Sequence, residues 1–403
     1  MKRHRHNAAD FTRRSIFTFE RVVGVLLATL MRSIQVELDQ FFAHIELPEG
    51  RIARDDAFRM ARKKLNWSAF TELNQAIVAD VSTTARWHGY RVVAADSTTL
   101  MLPTHHPDTI SADKGFNCYH HSDGIYALAR GGGLCDVATG LMLRADIDSD
   151  SKGEREMLLD QLDSVFADDL LVLDRGYPSY WLFALLNQQG RAFCMRATTS
   201  FNAKIKAFVA SGQASQLITV KPGHDQIAAF KRHNLPLKPF TIRLVRVVLP
   251  GGMIEVLITN LEDEIAYPAA EFAELYHRRW RIEEAFRHIK CRLHLEQFGG
   301  ETPLAIRQEF HATILLHNLA TLAAMDVKDL REDSATLSVN LTHASHMIRH
   351  HLPLLLSNPL EQATLCQILL ERMVMMITRR RMNRQGPPRQ PDREKPHPCR
   401  AYK

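Results

Sequence analysis

Two short apolar runs, each ending in an aspartate, constrain this chain most. Arg91-Val-Val-Ala-Ala-Asp96 and Asp169-Leu-Leu-Val-Leu-Asp174 have the length of strands. Neither alternates apolar with polar residues, so both read as strands buried on two faces at the centre of a sheet. Each runs directly into a turn, Ser97-Thr98-Thr99 in one case and Arg175-Gly176-Tyr177 in the other. The carboxyl ends of central strands are where α/β sheets place their sites. One such aspartate is more often a cap or turn former. Two at matching places ask for a chemical reason.

A third acid stands far downstream. Tyr276 to Lys290 contains no Gly or Pro and reads as one helix. At about 100° per residue, Tyr276, Arg279, Glu283, Arg287 and Lys290 share an arc of about 80°. Leu275, Ile282, Phe286, Ile289 and Leu293 occupy a neighbouring apolar arc that can pack on a core. An ordinary surface helix with i,i+4 charge pairs has the same look. Together with Asp96 and Asp174, however, Glu283 completes a set of three carboxylates carried on two strands and a helix. Such a set can hold two Mg²⁺ or Mn²⁺ ions about 4 Å apart around a phosphodiester. Hard cations take oxygen ligands, which Asp and Glu supply.

The pattern Tyr276-x2-Arg279-x3-Glu283-x6-Lys290 resembles the Y-R-E-K signature of bacterial DDE transposases of the insertion-sequence-four type. Asp96-Ser97-Thr98 and Asp174-Arg175-Gly176-Tyr177 resemble the first and second acid motifs of that family. The gaps agree as well: 78 residues separate the first two acids and 109 the second and third. The resemblance covers about residues 90 to 300. It implies a cut-and-paste transposase with a ribonuclease-H-like α/β core, a mixed sheet flanked by helices. Asp96, Asp174 and Glu283 are then the catalytic acids and the ligands of two Mg²⁺ or Mn²⁺ ions. Tyr276, Arg279, Arg287 and Lys290 are the expected DNA contacts. The implied partners are double-stranded DNA, as terminal repeats and as target, and a second copy of the chain in the synaptic complex. A silent DNA-binding relative and a nuclease without strand transfer are the alternatives.

Composition is compatible with this. The chain has 403 residues, 45% hydrophobic, enough for two or three domains. A net charge of +6 favours a polyanionic partner. Six scattered cysteines without a C-x-x-C pair argue against structural zinc and a disulfide framework. A reducing bacterial cytoplasm, near the nucleoid, is the expected setting. The apolar run 22–31 is too short to cross a membrane, and the charged leader before it makes a poor signal peptide.

Along the chain, residues 1–88 read as a helical DNA-binding region with interleaved arginines and aromatics. Residues 89–190 read as the first part of the core, with strands at 91–95, 125–130, 133–137 and 141–146 and a turn at Ala138-Thr139-Gly140. Residues 191–262 are strand-rich and basic, a β-rich insertion. Some members of the family use a Trp in the insertion to hold a flipped base. This chain has none between 191 and 262, which leaves Phe201 or Phe208 as the expected stacking residue. Residues 263–377 carry the glutamate helix and further apolar helices. Residues 378–403 read as a disordered basic tail.

Overall fold

The computed structural model describes residues 1–28, 30, 32–81, 85–122, 124–329, 337–358 and 360–379. The basic tail lies outside these except for Thr378 and Arg379, which pair antiparallel with Ser338 and Leu337. Four helices come first: α1 (Phe19–Leu27), α2 (Ile34–Phe42), α3 (Asp55–Arg62) and α4 (Ser68–Ala79). The strands are β1 (Arg91–Leu102), β2 (Asn117–His121), β3 (Gly124–Asp136), β4 (Met142–Ser149), β5 (Asp169–Leu173), β6 (Ala192–Ala197), β7 (Ser215–Val220), β8 (Phe240–Val248) and β9 (Ile254–Thr259). Between and after them run α5 (Glu154–Gln161), α6 (Tyr180–Gln188), α7 (Ala203–Ser211), α8 (Ile227–Arg232), α9 (Phe272–His277), α10 (Trp280–Arg287), α11 (Pro303–Asp329), α12 (Leu341–Ser357) and α13 (Gln362–Met375).

All nine strands join one mixed sheet in the order β2-β3-β1-β5-β6-β9-β8-β7, with β4 also on β3. Antiparallel β4, β3 and β1 are followed by β5 and β6, parallel to β1 and reached through helices. This is a ribonuclease-H-like arrangement. Strands β9, β8 and β7 extend the sheet antiparallel from β6, so the strand-rich segment 191–262 continues the central sheet.

Side-chain alternation along the strands assigns the two faces. Val93, Ala95, Leu171, Leu173, Phe193 and Met195 pack on one side with α5, α6 and α7. Val92, Leu170, Val172 and Cys194 point to the other, under Phe272, Leu275 and Tyr276 of α9. Ala94 joins Ile282 and Phe286 of α10 in the adjoining cluster. Burying each large apolar side chain stabilises by about 1.5–3 kcal/mol. The helix carrying Glu283 is therefore fixed to the sheet by its own apolar arc.

Two strand expectations are corrected. The runs 125–130 and 133–137 form a single strand, β3, because its glycines are covered. Phe310 packs over Gly131 on one face and Met157 over Gly132 on the other. Strand β1 does not stop at Asp96. Its parallel pairing with β5 ends at Ala95, while its antiparallel pairing with β3 runs on to Leu102. Phe208 is 1% exposed inside the core and cannot stack on a base.

The N-terminal region buries Phe17, Leu26, Phe41, Phe58 and Phe70 in a core that also takes Ala312, Leu315 and Leu316 from α11. At this junction Arg62 is buried against Glu309 at 2.9 Å, Gln308 at 3.0 Å and the Ala305 carbonyl at 3.2 Å. Burial pushes the Glu309 carboxyl up and the Arg62 guanidinium opposes this. Arg62→Ala leaves Glu309 buried without its cation and is expected to destabilise the protein by about 3–5 kcal/mol. A denaturant melt checks this, and an unchanged midpoint refutes it.

Candidate active site

The last parallel pair between β1 and β5 is Ala95 with Leu173. Asp96 and Asp174 are the next residues on the two chains, so their backbones stand about 4.8 Å apart. Alternation turns both side chains to the face covered by α9 and α10. Each carboxylate is anchored locally. Asp96 Oδ1 accepts the Ser97 N–H at 2.8 Å, and Asp174 Oδ1 accepts the Gly176 N–H at 2.8 Å.

The third acid arrives on a helix that is not continuous. The expected single helix over 276–290 is divided into α9, a tight turn at Arg278–Arg279, α10, and a π-turn over His288–Arg292. At the tight turn the Arg279 N–H bonds the Tyr276 carbonyl, an i−3 contact, at 3.1 Å. This overwinding swings Arg279 inward, where it is 6% exposed. Its guanidinium donates to Asp96 Oδ2 at 3.4 Å and to Glu283 Oε1 in a shorter bond, and its Cζ lies 5.7 Å from the centre of the Tyr276 ring. One arginine thus joins the first acid to the third.

The remaining expected DNA contacts part company. Arg287 is exposed one turn beyond Glu283. The π-turn carries Lys290 to β1, where it donates to the Thr99 carbonyl and stands 3.1 Å from Glu296. The Met101 N–H holds that same Glu296 at 3.0 Å.

Sequence reasoning missed two members of this site, Glu154 and its partner Arg130. Glu154, the first residue of α5, accepts Ser97 Oγ at 2.8 Å and pairs with Arg130 at 3.4 Å. Its only signal in the sequence is an acid in a first helical turn, which helices favour anyway. Gly176 is required sterically: a Cβ there would stand 2.6 Å from Glu154 Oε2 and 3.1 Å from Asp174 Oδ1.

Burial raises the Asp96 carboxyl to about 6; Asp174 and Glu154 add to the shift, while the Ser97 N–H and Arg279 oppose it. Tyr276, 7% exposed, has its phenol raised by burial. The Tyr276 hydroxyl and Arg279 Nε are buried donors without a partner among the described residues. Buried donors are rarely left so, and both suit an incoming anionic oxygen. Among the described residues no three His, Cys, Asp or Glu side chains are placed to hold one metal ion together. Arg279 stands between two of the acids. The donors nonetheless fit a hard divalent cation in kind: all are carboxylate oxygens.

A family model described as "Transposase DDE domain" matches residues 87–319. The match covers more than half of the chain, and the chain belongs to that family. The motif resemblance is thereby borne out. The chain is similar to transposase InsG for insertion sequence element IS4 of Escherichia coli K12, at 23% identity over 284 residues, 68% of this chain and 62% of that protein. It is also similar to putative transposase y4zB of Sinorhizobium fredii NGR234, at 26% over 157 residues, 38% of this chain and 42% of that protein. It therefore spans less than two thirds of the length of either relative. A piggyBac transposase in a synaptic complex with hairpin DNA aligns over 90% of this chain and 78% of its own, with a TM-score of 0.46 and 12% identity. No helix among the described residues is long and apolar enough to cross a membrane.

The raised Asp96 carboxyl has a consequence for stability. A carboxyl that binds its proton more tightly when folded favours folding below its unfolded value, and that contribution is lost as pH rises through about 6. Without divalent ions, Asp96→Asn is therefore expected to gain stability relative to the parent as pH rises from 4 to 7. Thermal melts at several pH values measure this, and parallel profiles would rule it out.

Proposed function

We propose that this chain is a cut-and-paste DNA transposase. It binds the terminal inverted repeats of its insertion sequence, cleaves phosphodiester bonds there, and joins the freed 3′-hydroxyl to target DNA. What carries the reading is Asp96 and Asp174 side by side, tied through Arg279 to Glu283, inside the span matched by the family model.

The roles follow from the chemistry of each side chain. Asp96, Asp174 and Glu283 are the oxygen ligands for two Mg²⁺ or Mn²⁺ ions. When bound, these ions lower the pKa of a water or 3′-hydroxyl and stabilise the departing oxygen. The Tyr276 hydroxyl and Arg279 Nε donate to phosphate oxygens of the DNA end. Arg287, exposed beyond Glu283, and Lys290, held beside the extension of β1, add cationic contacts. Arg279 moves from carboxylate to phosphate as DNA enters, which frees Asp96 and Glu283. Such an exchange makes metal loading depend on DNA. Two copies of the chain hold the two ends together, with the helical region 1–88 and the basic segment 191–262 contributing to the grip on DNA.

Incubation with Mg²⁺ and DNA bearing the flanking inverted repeats tests the proposal. Strand transfer supports it. Binding without cleavage would instead make the chain a silent relative, and cleavage without joining a plain nuclease. Asp96→Ala, Asp174→Ala and Glu283→Ala are each expected to abolish cleavage while leaving end binding within a few-fold. Normal cutting by the Glu283 variant sinks the ligand assignment. Arg279→Ala is expected to weaken end binding and reduce the log–log salt slope by about 1. An unchanged slope argues against a phosphate contact there.

A further inference from the structure

We infer that Glu154 is a fourth carboxylate of the metal site, a ligand that the three-acid motif does not include; this rests on the function proposed above. The argument begins with how the side chain is held. Both of its polar contacts among the described residues fall on Oε1: Ser97 Oγ donates at 2.8 Å and Arg130 Nη1 lies at 3.4 Å. Arg130 is itself fixed, with Nη1 donating to Ser97 Oγ at 3.3 Å and Nη2 to the Asp150 carbonyl at 3.2 Å. Oε2 is left facing the turn after Asp174. Glu154 Oε2 and Asp174 Oδ1 lie 2.6 and 3.1 Å from the point a Gly176 Cβ would occupy, so the two oxygens are at most about 5.7 Å apart.

That spacing suits a shared cation. Two ligands at about 2.1 Å from one Mg²⁺ can be up to about 4.2 Å apart, and a small side-chain rotation covers the remainder. The backbone around the pair is braced. Arg155, next in α5, donates to the Tyr177 carbonyl at 2.9 Å and the Pro178 carbonyl at 3.1 Å, clamping the turn that carries Asp174. A helix-start role does not explain the placement. Glu156 in the same turn already caps the Gly153 N–H at 3.2 Å and faces solvent. Glu154 alone turns to the sheet, where it adds negative charge beside Asp96 and Asp174.

The test is Mn²⁺ binding by the full-length chain together with DNA bearing the flanking inverted repeats, read from the free-ion EPR signal against a DNA-only blank, with melts in EDTA as the folding control. Glu154→Gln is expected to lower Mn²⁺ affinity by tenfold or more, as is Asp174→Asn, while Glu156→Gln leaves it unchanged. Wild-type affinity in Glu154→Gln, with loss in Asp174→Asn, overturns this inference and leaves the proposed function standing. Failure of the parent chain to bind Mn²⁺ at all removes both. If Glu154→Gln melts early in EDTA, Glu154→Asp decides: it keeps the charge but shortens the reach, and undiminished affinity in that variant refutes the assignment.

Discussion

The bond from Arg279 to Asp96 and Glu283 is the interaction on which this site depends. Asp96 sits on a central strand and Glu283 on a helix almost two hundred residues later. Packing brings the two elements together, but packing alone would leave carboxylates facing each other in a partly dry cleft. A guanidinium between them offsets that repulsion with geometry suited to two acids at once. It also sets a condition on the chemistry, since a cation in that place is a competitor for any other cation.

The tight turn at Arg278–Arg279 and the π-turn at His288–Arg292 belong to the same arrangement. A regular helix would distribute Tyr276, Arg279, Glu283 and Lys290 along one stripe. The overwound step drives Arg279 into the cleft, and the wider turn carries Lys290 to the extension of β1. Irregular turns of this kind are frequent where helices serve a site. Behind the helix, His317 Nε2 faces the Gly140 carbonyl at 3.2 Å and so carries a proton. Its Nδ1 then accepts from His288 Nδ1 at 2.9 Å. Burial lowers the two imidazoles to about 3 and about 4, which keeps this back support neutral.

Much of this was legible in the amino-acid sequence because it depends on local pattern. The apolar runs before Asp96 and Asp174 announce buried strands, and the Tyr-Arg-Glu-Lys spacing announces a helix with one charged face. What escaped the pattern was set by contacts between distant segments. Gly131-Gly132-Gly133 read as an interruption until Phe310 and Met157 covered two of them. The regular spacing of 276–290 concealed two changes of helical pitch. Glu154 looked like any acid at a helix start, and only the position of Gly176 shows what its second oxygen faces. Phe208 read as an aromatic free to stack and proved to be core.

The long helix α11 gives Ile306, Phe310 and Ile314 to the cluster beneath the glutamate helix and Ala312, Leu315 and Leu316 to the N-terminal helices. Asn318 fastens the same junction, donating to Asn74 Oδ1 at 2.7 Å and to the Met142 carbonyl at 2.8 Å. A rod with one flank in each core cannot lose one neighbour without baring grease to water. The front of the polypeptide is thus no detachable bead on a tether. Trimming it away would leave the flank of α11 that carries Ala312, Leu315 and Leu316 facing water.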